Sequence, residues 1–205
     1  MKKKEIYKKV LRIAKLIARK KEGALFVIGP EKKFKGTYEL LFPQVIKDYS
    51  IGEDGMDKII EKLATLDGAV IISDTGNLIA YGAKLKKSKP VQGYGTKHAA
   101  ASGITYFIKN STAIVVSEEV NWIRVFQKGN IILEMDSSEK PRPVEDKIAS
   151  YLSTGDKALL AAAGISVAAI GSAMVAPVMI VGGTYLAIKT AAGLIKKKFN
   201  KQPLK

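Results

Sequence analysis

Three short stretches put polar side chains where a chain enters or leaves an apolar run, the usual meeting place for ligands. In LDGAVIIS, Asp67 stands immediately before a buried strand, so its carboxylate belongs at the rim of a sheet. Gly68 beside it would let a ligand approach the backbone. The plainer reading is an Asp-Gly turn that starts a strand. In GYGTKHAAASGIT (93–105), Gly95 permits a tight entry and Thr96 is a good N-cap for a helix. Free N–H groups in a first helical turn attract anions, phosphate most commonly. Lys97 adds a mobile positive charge, and His98, the single histidine, adds a donor that can become cationic near neutral pH. A structural histidine is the competing reading. In IVVSEEVNW (114–122) a buried strand ends in Ser117-Glu118-Glu119. Two carboxylates there suit a divalent metal, or simply a solvated turn.

Other chemistries are excluded. There is no Walker A motif, no GxSxG elbow and no histidine cluster. The absence of cysteine removes disulfides, thiolate metal sites and a cysteine nucleophile, and permits an intracellular setting.

The elements that must position these residues read as a mixed α/β domain over 22–155. ALFVIG (24–29), GAVIIS (68–73), NLIAYGAKL (77–85) and TAIVVS (112–117) are short apolar strands. Helical periodicity covers Asp57 to Leu66 and Thr96 to Ile108. Asp74-Thr75-Gly76-Asn77 has hairpin-turn chemistry, and WIRVFQ and IILEM form a second hairpin across Lys128-Gly129-Asn130. A short helix to about Leu152 closes the domain.

The net charge of +15 would suggest nucleic acid, but its placement argues against that partner. Residues 1–21 carry ten Lys/Arg and one acid, residues 158–205 six lysines and no acid, and the middle is neutral. A nucleic-acid domain normally spreads its basic stripe over the folded surface. Basic ends also suit an anionic lipid surface. Residues 1–21 read as a basic amphipathic helix, with Ile6, Val10, Ile13, Ala14 and Ile17 on one stripe. The plainer reading packs that stripe on the domain; the other lays the helix on a membrane.

Residues 156–205 form a third segment, expected to be helical. Ala158 to Ile188 is 31 residues without charge, rich in Ala and Gly. As one helix it would span roughly 46 Å, too long for an upright crossing of a ~30 Å core and too short for two crossings. Pro177 and Gly182-Gly183 can break it, and Gly164, Ala168, Ser172 and Ala176 make a small-residue row. A soluble Ala-rich hairpin competes with a shallow membrane hairpin that returns Lys196-Lys197-Lys198 to the cytoplasmic face.

DGA, then GTKHAAA about thirty residues on, then VVSEE about twenty further, together resemble the diadenylate cyclase (DAC, or DisA_N-type) domain. That domain carries DGA, GTRHRAA and a strand ending in S-x-E. The likeness runs from GALFVIG (23–29) through the hairpin near Met135 and is nearest the short archaeal type, often called DacZ. It implies a mixed central sheet flanked by helices, and condensation of two ATP into cyclic di-AMP with release of two pyrophosphates, using Mn²⁺ or Mg²⁺. It implies a face-to-face homodimer, with higher homo-oligomers open. Residues 158–205 match no part of that domain; the uncharged stretch and the basic chain ends, with a catalytic domain that must face the cytoplasm to meet ATP, suggest that residues 158–188 would hold it at the inner face of the membrane. Carried over by residue, Asp67 and His98 are catalytic. Gly68, Ala69, Leu78, Tyr81, Gly95, Thr96, Lys97 and Ser117 bind nucleotide or phosphate, and Asp67 and Glu119 hold metal. One departure stands out: the family's Arg-His-Arg is Lys97-His98-Ala99 here, so both guanidinium forks are missing. Lys84, Lys86, Lys87 and Lys89 are the candidates to replace them. A non-catalytic nucleotide-binding module of the same fold is the rival reading.

Overall fold

The computed structural model describes residues 1–119, 122–136, 142–155, 178–181 and 184–187. Helix α1 (Lys3–Arg19) leads into β1 (Ala24–Gly29), a short β2 (Tyr38–Leu40), α2 (Met56–Ala64) and the hairpin β3 (Ala69–Ser73) and β4 (Leu78–Leu85). Helix α3 (Thr96–Phe107), β5 (Thr112–Val116), the hairpin β6 (Trp122–Gln127) and β7 (Asn130–Asp136), and α4 (Arg142–Thr154) follow. Two strands, β8 (Val178–Val181) and β9 (Thr184–Ala187), complete one mixed sheet in the order β2-β4-β3-β1-β5-β6-β7-β8-β9.

Strands β1, β3 and β5 are buried along their whole length, which is why they read as unbroken apolar runs. Their side chains alternate between two cores. Phe26, Ile28, Val70, Ile72 and Ile114 face α1, α2 and α4. Leu25, Val27, Ile71, Val115 and Phe126 face α3.

The stripe read in the first 21 residues is fully buried in the first core, extended by Tyr7 and Leu11. The Tyr7 hydroxyl meets Thr112 Oγ1 at 2.9 Å beneath the helix. The apolar face of α1 is therefore taken by the sheet; Lys15 is buried with it, while Lys3, Lys4, Lys8 and Lys9 are partly exposed. Among the described residues no helix is long and apolar enough to cross a membrane.

The C-terminal expectation needs a correction. Val178–Val181 and Thr184–Ala187 are strands, not helix; β8 adds in parallel to β7, and β9 returns antiparallel to it. The β-branched residues Val178, Ile180, Val181 and Thr184 favour pleated backbone, and a Gly-Gly pair between two such runs is hairpin chemistry. Local composition across 158–188 was dominated by alanine and concealed this. The rest of the expected tail, Pro177 and the terminal lysines included, lies outside the described residues.

Pairing directions set up the site. β1 runs parallel to β3 and antiparallel to β5, and β4 returns against β3 with Ala83 opposite Ala69 and Leu78 opposite Ile72. One rim of the sheet therefore collects the starts of β1 and β3 and the ends of β4 and β5.

At this rim Gly68 has φ +96°, and a Cβ there would stand 2.6 Å from the Gly82 carbonyl carbon and 2.7 Å from the Ala83 nitrogen. The glycine of DGA is thus required by the backbone of β4, where the pairing register shifts after Ala69. This is a structural requirement beside the expectation that it clears space for a ligand. Gly68→Ala is expected to cost about 2 kcal/mol or more in thermal or urea denaturation. Gly95→Ala, where a Cβ meets nothing within 4 Å and φ is −83°, is expected to stay within about 0.5 kcal/mol.

Candidate functional site

Helix α3 is fixed from both ends of its buried face. Ala101 and Ile104 enter the second core, and the polar groups between them bond to the β6–β7 turn. Ser102 Oγ donates to the Gly129 carbonyl at 2.7 Å, and the Gly129 N–H donates to Thr105 Oγ1 at 3.1 Å. The start of α3 is thereby held over the end of β5 and the start of β6.

The N-cap is Gly95, not Thr96; Thr96 is the first helical residue and is exposed, and no side chain caps the helix. The first amides to find acceptors are those of His98 and Ala99, both on the Gly95 carbonyl. The amides of Thr96 and Lys97 are left open, as a helix start leaves them. They face an open cleft of about 340 Å³ lined by 93–98, 115–119 and Arg124. Six of the expected residues, Gly95, Thr96, Lys97, His98, Ser117 and Glu119, meet there.

The cations are arranged differently from expectation. The Lys97 ammonium is ion-paired with the Glu118 carboxylate, both partly exposed. None of the four lysines proposed as replacements lines the cleft. Lys86 pairs with Glu39 at 3.6 Å, while Lys87 and Lys89 lie over the rings of Phe107 and Tyr106. The guanidinium in the cleft belongs to Arg124 on β6, which the sequence reading did not single out. It sits 4.7 Å from the Tyr94 ring centroid, and its Nε donates to Glu134 Oε1 at 2.5 Å. The available signal was strand alternation: Ile123 and Val125 enter the first core, so Arg124 must face α3.

His98 is 8% exposed, stacked near Tyr94 with ring centroids 4.7 Å apart and edge-on to Phe126. Its Nε2 lies 3.4 Å from Arg124 Nη1. A guanidinium only donates, so Nε2 accepts and the proton resides on Nδ1. Burial first, then the charges of Arg124 and Lys97, push the imidazole down to about 4. His98 is accordingly neutral at pH 7, which corrects the expectation of a cation near neutrality.

Other expected residues lie elsewhere. Asp67 is exposed at the same rim, its Oδ1 accepting the Gly68 N–H at 2.8 Å, and does not line the cleft. Strand β1 separates β3 from β5, so the backbones of these two strands, which Asp67 precedes and Glu119 follows, are about 10 Å apart. Ala69 is buried beneath the rim in the second core. Leu78 is buried at the opposite end of β4. Tyr81 points into the first core, away from α3, and its hydroxyl donates to the Pro43 carbonyl at 2.5 Å. Because β4 runs antiparallel to β3, Ala83 and Leu85 are the β4 residues nearest the rim; Leu78 and Tyr81 are not.

Among the described residues no three metal-ligating side chains cluster. Asp67 and Glu119 offer hard, exposed oxygens, and Mg²⁺ commonly takes one or two such carboxylates plus substrate phosphates. The donor set fits a divalent ion that arrives with a nucleotide.

Residues 13–131 match the family model described as DisA bacterial checkpoint controller nucleotide-binding, the DAC domain. Two curated archaeal proteins are each named diadenylate cyclase. The one from Haloferax volcanii is 32% identical over 120 residues, 56% of this chain and 44% of that protein. The one from Methanocaldococcus jannaschii is 30% identical over 145 residues, 66% of this chain and 47% of that protein. The chain thus spans about half the length of the curated relatives it matches. A crystal structure of a double mutant of DacA from Staphylococcus aureus shares the fold with TM-score 0.53 at 23% identity, covering 74% of this chain and 97% of that one. A hypothetical membrane spanning protein from Bacillus cereus gives TM-score 0.50 at 19% identity, covering 60% and 59%.

The single histidine makes one prediction unambiguous. An NMR titration of the imidazole carbon-bound protons is expected to give a midpoint near 4 in the folded chain and near 6.5 in urea. The folded pKa lies below the unfolded one, so stability should fall as pH drops from 6.5 towards 4 and be flat above that window. In His98→Gln that part of the acid loss should disappear. A folded midpoint near 6.5 would contradict the buried, cation-flanked imidazole.

Proposed function

The chain belongs to the DisA-type DAC domain family, and from that premise we propose that it condenses two ATP molecules into cyclic di-AMP with release of two pyrophosphates. The observation that carries this reading is the cleft in which the open amides of Thr96 and Lys97 face the Ser117–Glu119 end of β5. It offers a triphosphate backbone donors, an ammonium and a rim carboxylate. Phosphoryl transfer needs chiefly such positioning and charge neutralisation.

On this reading the phosphates rest on the first turn of α3. Lys97 leaves Glu118 to meet them, and the neutral His98 hydrogen-bonds from the cleft wall. Mn²⁺ or Mg²⁺ bound with the nucleotide would neutralise phosphate charge, with Glu119 as its carboxylate from the cleft side. Asp67, about 10 Å along the rim, stands where the ribose end of a nucleotide laid along the sheet edge would reach. Its carboxylate would take the proton of the attacking 3′-hydroxyl or hold a metal at that end. A homodimer supplies the second nucleotide. The outward basic face of α1 supports association with anionic lipid head groups, and the neutral central domain gives no support to nucleic acid.

Incubation with ATP and Mn²⁺, followed by mass spectrometry, is expected to yield cyclic di-AMP and pyrophosphate. Asp67→Asn should lower the rate by at least two orders of magnitude with an unchanged melting temperature, since its carboxylate is exposed and bonds only its own turn. The wild-type rate should rise more steeply than linearly with protein concentration in the dilute range, because the working unit is a pair. ATP bound without product would make the chain a nucleotide-binding module.

A further inference from the structure

The cleft lacks the two arginines that the resemblance led one to expect on α3, and the structure provides a guanidinium from another element. Arg124 lies in the middle of β6, opposite Val115 of β5 and Glu134 of β7. Its side chain is 12% exposed and that of Glu134 8%. The planar group is held on every side but one. Nε is bound to Glu134, and the Tyr94 hydroxyl donates to the same carboxylate oxygen at 3.2 Å. The Tyr94 and Trp122 rings flank it at 4.7 and 5.9 Å. Nη1 faces His98 Nε2. The Tyr94 hydroxyl also accepts from the guanidinium, and Arg124 lines the cleft. A buried cation oriented by a carboxylate is preorganised, and a guanidinium fork matches phosphate oxygens bidentately. Lys97, tied to Glu118 at the surface, supplies a point charge with no fork.

We propose that Arg124 is the phosphate-binding guanidinium of this site, held in place by Glu134, and that it does from β6 the work expected of arginines at positions 97 and 99. The proposal rests on the triphosphate reading of the cleft and deepens it. Glu134 is a positioning residue, since it reaches the phosphates only through Arg124.

The test is calorimetric, on the full chain, with three probes: α,β-methylene-ATP with Mg²⁺, inorganic tripolyphosphate, and adenosine. Arg124→Met is expected to weaken the two phosphate probes at least tenfold and leave adenosine unchanged, because only the fork is lost. Arg124→Lys should lose most of the same affinity, whereas Glu134→Gln, which still accepts from Nε, should retain most of it. Where Arg124→Met does not fold, the paired variant Arg124→Met/Glu134→Met leaves no orphaned charge and gives the same readout. Phosphate probes bound as tightly as by wild type would overturn the proposal, whatever the cyclase assay reports. So would a parallel loss of adenosine in a folded variant, the mark of a purely structural ion pair. A wild-type chain that makes no cyclic di-AMP, yet loses tripolyphosphate on Arg124→Met, would remove the cyclase reading and leave this one standing.

Discussion

Strand β1, buried on both faces, pairs in parallel with β3 on one side and antiparallel with β5 on the other, and this mixed pairing decides what shares a rim. A strand start carries Asp67, a strand end carries Ser117 to Glu119, and both come to the same edge only because β5 is reversed. Helix α3 then has one place to begin. Its chain leaves β4 at that edge and must enter β5 from the other, so the helix crosses the face from rim to far side with its open amides at the rim. Reversing any one of these directions would put the carboxylates and the helix start at opposite ends of the sheet.

Two ion pairs at this rim differ in a way that assigns them different work. Lys97 and Glu118 are partly exposed, and such a pair contributes about 1 kcal/mol or less. An arriving phosphate can displace Glu118 at little cost. Arg124 and Glu134 are buried, and separating them would leave a charge without solvent or partner, which costs several kcal/mol. That pair stays formed and keeps its fork oriented. The same buried cation, beside Lys97, keeps His98 neutral. The imidazole in turn gives the guanidinium an acceptor it would lack if protonated. The mobile and the fixed cation thus line one cleft.

Much of this was legible from local pattern. Apolar runs gave the central strands, Asp74 to Asn77 and Lys128 to Asn130 gave the hairpins, and the three polar stretches grouped by motif likeness lie at one rim of the sheet, two of them in one cleft. What local pattern cannot supply is direction and pairing. Leu78 and Tyr81 were placed at the nucleotide by likeness to the segment where the family packs the adenine; the antiparallel return of β4 sets them away from the rim and brings Leu85 to it. Arg124 escaped notice because its significance lies in Glu134, Tyr94 and His98, between 10 and 40 residues away within the contacts that define it. The charge of His98 depends on burial by Phe126 and on Arg124, neither of which is a neighbour in sequence. The alanine-rich composition of the last fifty residues suggested helix, whereas β8 and β9 form on a sheet edge that only the fold provides.

The roughly 10 Å between Asp67 and the cleft bears on how many chains the proposed reaction needs. A nucleotide with its phosphates on α3 and its ribose towards Asp67 is laid out straight along the rim. Its own 3′-hydroxyl and α-phosphorus are then held apart, and no in-line attack of one on the other is possible within that pose. On the proposed reading such a site would bind a single nucleotide and would not close a ring with it. A second copy facing the first, related by a two-fold axis, brings each hydroxyl to the other's phosphorus with both made equivalent by symmetry. The rim geometry that makes one protomer a good binder is, on this reading, what makes it incompetent alone.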